Sequence, residues 1–323
     1  MLIRNFVFWL SSKKSVTRVI SDRGMRYGFA RRFIAGETLA ECLAASRELN
    51  RLGRRISLNH LGEDVSSVEE AHRVRDGYIE MLHALVGRQT AATVAGAPLD
   101  GNISIKLTQL GLTMPAGGRD LCLILTEEIV AAAEPLGLTI EMDMEGSAHT
   151  DATLEIFEAV TRRHRNTCLA IQAYLYRTEK DLERLAPLEP KIRLVKGAYR
   201  EPVRIAWQKQ SEVDDSYRRL LSCLLDGKFT AAIATHDPAM QEYARALLAE
   251  RGTPREKYEF QMIYGIRRDL HQQACDLGHP LRIYVPFGTE WCPYFMRRLS
   301  ERPANCWFVL RSLAAESLGP GRA

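Results

Sequence analysis

IRLVKGAY, residues 192–199, is the stretch on which the reading of the fold turns. It is a short apolar run that nevertheless holds Arg193 and Lys196 and stops at Gly197. Such a run reads as a strand buried on both faces. Seven more runs of eight or nine residues share the pattern: ISLNHLGED (56–64), ISIKLTQL (103–110), LTIEMDME (138–145), CLAIQAYL (168–175), FTAAIATH (229–236), YEFQMIYG (258–265) and LRIYVPFG (281–288).

Between these runs lie longer amphipathic segments. VEEAHRVRDGYIEMLHALV (68–86), DLCLILTEEIVAAAEPLG (120–137) and DATLEIFEAVTRRHRN (151–166) have helical spacing. EPVRIAWQKQSEVDDSYRRLLSCLLDG (201–227) and PAMQEYARALLAERG (238–252) follow, ending at Gly227 and Gly252 as helices commonly do. Eight strands alternating with helices predict an α/β fold, a (β/α)₈ barrel of parallel strands with its helices outside. A doubly wound sheet uses the same alternation, but no GxGxxG opens a helix after a strand. Residues 31–52 read as extra helices packed on the barrel, and 291–315 as the last helix or two. The expected organisation is a helical segment over 1–55, the barrel over 56–315 and a flexible tail over 316–323.

The 323 residues are 46% hydrophobic and 26% charged, an ordinary globular balance that one large domain accommodates. Net charge is +4, but residues 1–60 hold twelve Lys and Arg against four acids. With Phe6, Phe8 and Trp9, this segment could touch an anionic membrane surface; a solvated helical face is the simpler explanation. No recognition motif supports nucleic-acid binding. Seven scattered cysteines without CxxC spacing read as reduced thiols of a cytoplasmic protein, not as a disulfide frame or zinc site. Met1–Leu10 lacks a long apolar core and an A-x-A site, so no signal peptide is expected. No run approaches the roughly 20 apolar residues of a membrane span.

Barrel enzymes place their sites at the C-terminal ends of the strands. Those ends carry Lys106, Asp143 with Glu145, Gln172, Arg193 with Lys196 and Tyr199, His236, and Tyr284. A structural ion pair explains any one of them, because a charge in an apolar strand must be paired or functional. The set converging on one face points to a site. Tyr294, Arg297, Arg298 and Glu301 lie at i, i+3, i+4 and i+7, one face of a helix. That face is either a solvated basic surface or a carboxylate clamp, since guanidinium groups bind carboxylates in a bidentate manner.

At these residues the chain resembles the proline dehydrogenase family. The resemblance runs from LGED (61–64) to PAN (303–305) through SIKLT (104–108), EMDME (141–145), QAY (172–174), RLVKGAY (193–199), ATH (234–236), EFQMIYG (259–265), RIYVPFG (282–288) and YxxRRxxE (294–301). The block around Trp291 is similar to the compact bacterial monofunctional enzymes, and 323 residues leave no room for the extra modules of the large proline-utilisation flavoproteins. The resemblance implies a distorted (β/α)₈ barrel with a C-terminal substrate-binding helix and non-covalent FAD at the strand ends. It implies oxidation of L-proline to Δ1-pyrroline-5-carboxylate by hydride transfer from C5 to the flavin N5, the first step of proline catabolism to glutamate. A membrane quinone would take the electrons, with peripheral membrane contact.

Carried over by motif, Arg193 would approach the flavin N5 and Gln172 would hydrogen-bond the ring, with Met144 beside it. Lys196, Gly197, Ala198, Thr235 and His236 would hold the ribityl and diphosphate parts. Lys106, Arg297 and Arg298 would grip the proline carboxylate. Asp143 would shape the site and pair near Arg193 or Lys106. Tyr199, Tyr284, Tyr294 and Leu194 would pack around the pyrrolidine ring, and Glu301 would steady an arginine. Tyr294 leaves little room for a ring hydroxyl, which favours proline over hydroxyproline. Arg200 stands where some relatives carry an aromatic residue, which leaves local packing beside the flavin open. The rival readings are a Schiff-base lyase or aldolase using Lys106 or Lys196, and a non-catalytic membrane or nucleic-acid adaptor using the basic N-terminus.

Overall fold

The computed structural model describes residues 30–291 apart from residue 63. Tyr294, Arg297, Arg298 and Glu301, the basic segment before residue 30 and the tail over 316–323 lie outside the described residues, as does all but the start of the helix expected over 291–315.

Eight parallel strands close into a barrel in chain order. They are β1 (Arg55–His60), β2 (Gly101–Ile105), β3 (Ile140–Met142), β4 (Thr167–Gln172), β5 (Lys191–Val195), β6 (Thr230–Ala234), β7 (Tyr258–Ile263) and β8 (Leu281–Phe287). Helix α1 (Leu39–Arg51) precedes the barrel and packs on β1 and β8. The outer layer continues with α2 (Val68–Leu85), α3 (Gly118–Ala133), α4 (Thr150–Thr161), α5 (Thr178–Leu185), α6 (Gln210–Asp226), α7 (Pro238–Glu250) and α8 (Arg268–Asp276).

Helix starts follow local chemistry. Thr38 caps α1 and Glu41 reaches back to the Thr38 and Glu37 amides, a capping box. Ser67 caps α2, and Asp237 before Pro238 caps α7.

Each strand is shorter than the run that announced it. After Ile105 the chain turns into a 3₁₀ segment over Leu107–Leu110, and β3 stops at Met142. Lys106, Asp143, Met144, Lys196, Gly197, Ala198, Tyr199, Thr235 and His236 therefore lie just past strand ends, whereas Gln172, Arg193, Leu194 and Tyr284 lie within strands. Residues 201–209 do not begin the long helix expected there. Residues 203–205 form a turn closed by the Ile205 and Ala206 amides on Pro202 O (3.0 and 3.2 Å), and Ala206 then bridges to Leu175, with Tyr176 N donating to Ile205 O (3.1 Å) and Trp207 N to Tyr174 O (2.8 Å). Pairing with the 174–176 backbone directs this segment away from the helix; Trp207 meets Tyr176 edge-on at 4.6 Å.

The pleat divides the strands cleanly. Ile56, Leu58, Ile103, Ile105, Ile140, Met142, Ile192, Leu194, Ile283 and Val285 are fully buried and belong to the large apolar cluster under the helices. Their neighbours Ser57, Ser104, Glu141, Arg193, Glu259, Gln261 and Arg282 point the other way and bond to one another across the barrel. On the floor of the barrel, Glu259 accepts from Lys191 (2.8 Å), Gln261 (2.8 Å) and Arg282 (2.9 Å), while Arg282 also donates to Ile56 O (2.8 Å). Burial pushes the Glu259 carboxyl up, but Arg282 and Lys191 outweigh it and hold the group well below the usual carboxylate range.

Glu259→Ala leaves these buried cations uncompensated and is expected to cost about 3–5 kcal/mol in urea denaturation at pH 7. Because the folded-state pKa is depressed, the wild-type contribution is present above the unfolded carboxyl pKa of about 4.3 and is lost as pH falls below it. The gap between wild type and variant should therefore narrow in acid; a constant gap contradicts the assignment.

Candidate active site

The site is built at the C-terminal mouth of the barrel, around Arg193 on β5. Its Nη1 donates to Asp143 Oδ1 at 2.5 Å, and its Nη2 donates to Ser104 Oγ at 2.8 Å and to Glu141. The Tyr284 ring lies under the guanidinium at 5.3 Å, and the Tyr284 hydroxyl donates to Asp143 Oδ2 at 2.6 Å. Exposure orders the three charged groups along the barrel: the side chains of Glu141, Arg193 and Asp143 are 0%, 6% and 14% exposed. Asp143 thus belongs to the mouth and Glu141 to the interior.

Burial decides the protonation chemistry here. It pushes the Asp143 carboxyl up to about 6, against the pull of Lys106 and the Tyr284 hydroxyl. It brings the Arg193 guanidinium down to about 10. At neutral pH both are charged, and the pair persists. Glu145 is raised by burial as well; it accepts from Thr108 N (3.1 Å) and Thr108 Oγ1 (2.8 Å) and so ties the chain after β3 to the turn after β2.

Lys106 sits at the head of that turn, buried, with its Nζ donating to Asn59 Oδ1 at 3.2 Å and its backbone N–H to the buried Tyr78 hydroxyl at 3.3 Å. Gln172 Nε2 donates to Glu145 O at 3.0 Å, which fixes the carboxamide beside buried Met144.

On the other side of the mouth, Lys196 Nζ lies between Asp214 (2.5 Å) and Asp237 (2.6 Å). Gly197 follows with φ +123°, and a Cβ there would stand 2.4 Å from the Tyr174 ring; only glycine lets the 196–198 turn lie flat on that tyrosine. Ala198 is exposed and Tyr199 half-buried in the same turn. Thr235 Oγ1 accepts the Asp237 N–H (3.1 Å), and His236 Nε2 accepts the Ile263 N–H (2.8 Å), joining the ends of β6 and β7. Accepting there makes Nε2 the unprotonated ring nitrogen.

The fold therefore brings Lys106, Asp143, Met144, Gln172, Arg193 and Tyr284 to one end of the barrel, with Lys196–Tyr199, Thr235 and His236 at the same end. Leu194 is the exception. It is fully buried on the strand face opposite Arg193, under the helix layer, because successive strand residues point to opposite faces. It cannot touch a ring held in the mouth.

Glu141, Ser57, Ser104, Asn59 and Gln261 were not singled out from the sequence. Their signal was the inward alternation of polar residues: Ser57 with Asn59, Ser104 with Lys106, and Glu141 with Asp143.

One buried atom bears on a cofactor. Among the described residues, Arg193 Nε has no hydrogen-bond partner. A buried donor left so is costly unless a bound group supplies an acceptor. The planar, polar-edged ring system of a flavin fits this donor together with the Gln172 carboxamide. Among the described residues, no cluster suits a metal ion, and the five described cysteines are free.

The family profile described as Proline dehydrogenase matches residues 42–311. The chain belongs to the proline dehydrogenase family. It is 35% identical to Proline dehydrogenase 1 of Bacillus subtilis subsp. natto over 97% of this chain and 99% of that protein. It is 34% identical to Proline dehydrogenase of Deinococcus radiodurans over 97% of this chain and 98% of that one. Among solved structures, proline utilization A (PutA) from Bdellovibrio bacteriovorus inactivated by N-propargylglycine superposes with a TM-score of 0.76 at 24% identity. That match covers 84% of this chain and 32% of the PutA chain, so this protein spans about a third of its length and the likeness concerns the barrel.

Asp143 is expected to be the mouth carboxyl that titrates near pH 6. The sign is that of a raised carboxyl: its contribution to stability is complete below the unfolded value of about 3.9 and is lost as pH rises through 6. Infrared difference spectra should show a protonated-carboxyl band that disappears between pH 5 and 7 (roughly one unit either side of the midpoint). The band should be missing in Asp143→Asn; a band that survives there belongs to another group.

Proposed function

We propose that this protein is an FAD-dependent enzyme that oxidises L-proline at the C5–N bond to Δ1-pyrroline-5-carboxylate. The observation that carries the reading is the meeting of Lys106, Asp143, Arg193 and Tyr284 in one barrel mouth, with the Arg193 Nε donor buried and unsatisfied among the described residues. FAD, held non-covalently, supplies the two-electron acceptor that no amino-acid side chain provides.

The chain's own groups do the rest. Arg193, Gln172 and the Met144 backbone would hold the ring system, and the guanidinium charge would favour negative charge there. Gly197, Ala198, Thr235 and His236 would hold the ribityl and diphosphate parts. Lys196, with two of its three N–H donors on Asp214 and Asp237, keeps a third that would meet a phosphate.

Lys106, joined by Arg297 and Arg298, grips the substrate carboxylate and presents C5 at reacting distance. Tyr284, Tyr199 and Tyr294 enclose the ring, and Glu301 steadies the arginine pair. Asp143, charged at neutral pH, holds Arg193 and Tyr284 in register. Proline must lose its amine proton before hydride leaves C5, so the rate is expected to rise with pH.

Electrons pass on to a quinone, and the basic, aromatic N-terminal segment gives peripheral contact with the inner membrane face. Among the described residues, no helix is long and apolar enough to cross a membrane. Membership of the family leaves no observation in favour of the lyase or adaptor readings.

The deciding experiment is the visible spectrum of purified protein before and after anaerobic L-proline. A yellow protein that bleaches supports the reading, and a colourless one that cannot be reconstituted with FAD ends it. Arg297→Ala or Arg298→Ala should raise the proline KM about 30- to 1,000-fold, the equivalent of losing roughly 2–4 kcal/mol of charge-assisted contact. An unchanged KM in steady-state kinetics removes the clamp.

A further inference from the structure

The geometry points to Glu141 as the positioning residue for Arg193: a carboxylate locked inside the barrel that sets the direction of the guanidinium, independently of what happens at the mouth. This rests on the proposal that Arg193 works beside a flavin.

Arg193 is held by two carboxylates of different standing. Asp143 shares its oxygens between Arg193 and the Tyr284 hydroxyl, both groups of the mouth, and keeps 14% of its surface. Any substrate entering there competes for those contacts. Glu141 has no exposed surface. Its Oε2 accepts from Ser57 (3.0 Å), Ser104 (3.3 Å) and Arg193, and its Oε1 from Gln261 (2.8 Å).

Those anchors come from β1, β2 and β7, so three walls of the barrel hold the carboxylate in place before any ligand binds. Two residues along one strand face separate Glu141 from Asp143, roughly 6–7 Å. The guanidinium spans that gap with Nη2 down and Nη1 up. Ser104 seconds the lower contact by accepting from Nη2 at 2.8 Å. With Glu141 neutralised, the close charge–charge hold on Arg193 falls to Asp143, and the guanidinium swings off the direction in which it would face the ring.

Sign separates positioning from simple electrostatics. Deleting a negative charge near a flavin makes it easier to reduce and raises its midpoint potential. Turning Arg193 away removes a positive charge from the ring and lowers it.

The test uses full-length, FAD-loaded Glu141→Gln, with the potential measured by spectroelectrochemistry and proline kinetics alongside. The expected result is a lowered potential, a roughly ten- to hundredfold loss of kcat and a proline KM within about twofold of wild type, since the carboxylate clamp is separate. Glu141→Asp, which keeps the charge, should recover part of the potential. A potential that rises or stays put in Glu141→Gln overturns the inference.

If Glu141→Gln does not fold, Ser104→Ala, which changes no charge, should lower the potential by less; an unchanged value overturns the inference. Arg193→Met is the control for the underlying reading. If its potential matches wild type, Arg193 is not beside the flavin, and this inference falls with that reading. A fall in Arg193→Met without one in Glu141→Gln rejects Glu141 alone.

Discussion

Arg193 is a cation that cannot be given up, placed where almost no water reaches it. Even with burial bringing it down to about 10, it stays charged at physiological pH. The barrel interior follows from that requirement. Eight-stranded barrels usually fill their centre with branched apolar side chains. Here the inward positions of β1, β2, β3, β5, β7 and β8 carry Ser57, Ser104, Glu141, Arg193, Gln261 and Arg282, a bonded polar column. The apolar driving force is supplied instead by the outward strand residues under the helices.

The column treats its carboxylates differently from floor to mouth. Glu259 has two cations within hydrogen-bond reach and is held down strongly. Asp143, with one arginine and one hydroxyl, is left raised by burial to about 6. The same chemical group is therefore a fixed anion at one end and a titratable one at the other. Donor count decides between them, since both are substantially removed from water. A floor that does not respond to pH and a mouth that does is what an enzyme of this kind needs of its scaffold and its site.

The turn at 196–199 shows how a site is supported from behind. Gly197 is required because the Tyr174 ring lies directly beneath it. Tyr174 in turn accepts Trp207 N at its carbonyl, which pins the 201–209 excursion. The excursion read as helix in sequence because its charged and apolar residues also suit a helical face. Pairing with residues 174–176 decided otherwise. Helices α5 and α8, of eight and nine residues, escaped notice for a related reason: two turns rich in charge carry too little periodicity to register.

The sequence by itself determined the eight strands, their parallel order and the end of the barrel that carries the chemistry, because buried parallel strands must be apolar and any charge within them must have a reason. Its ordered motifs also determined the family. It did not determine which way each strand residue points. Leu194 looked like a site residue beside Arg193, and the pleat sends it into the helix layer. Nor did it reveal that Glu141, fifty-two positions earlier, is the inner partner of Arg193. That pairing exists only when barrel closure turns the inward residues of β3 and β5, two strands apart, toward one interior, a contact set by strand register and shear that no local pattern records.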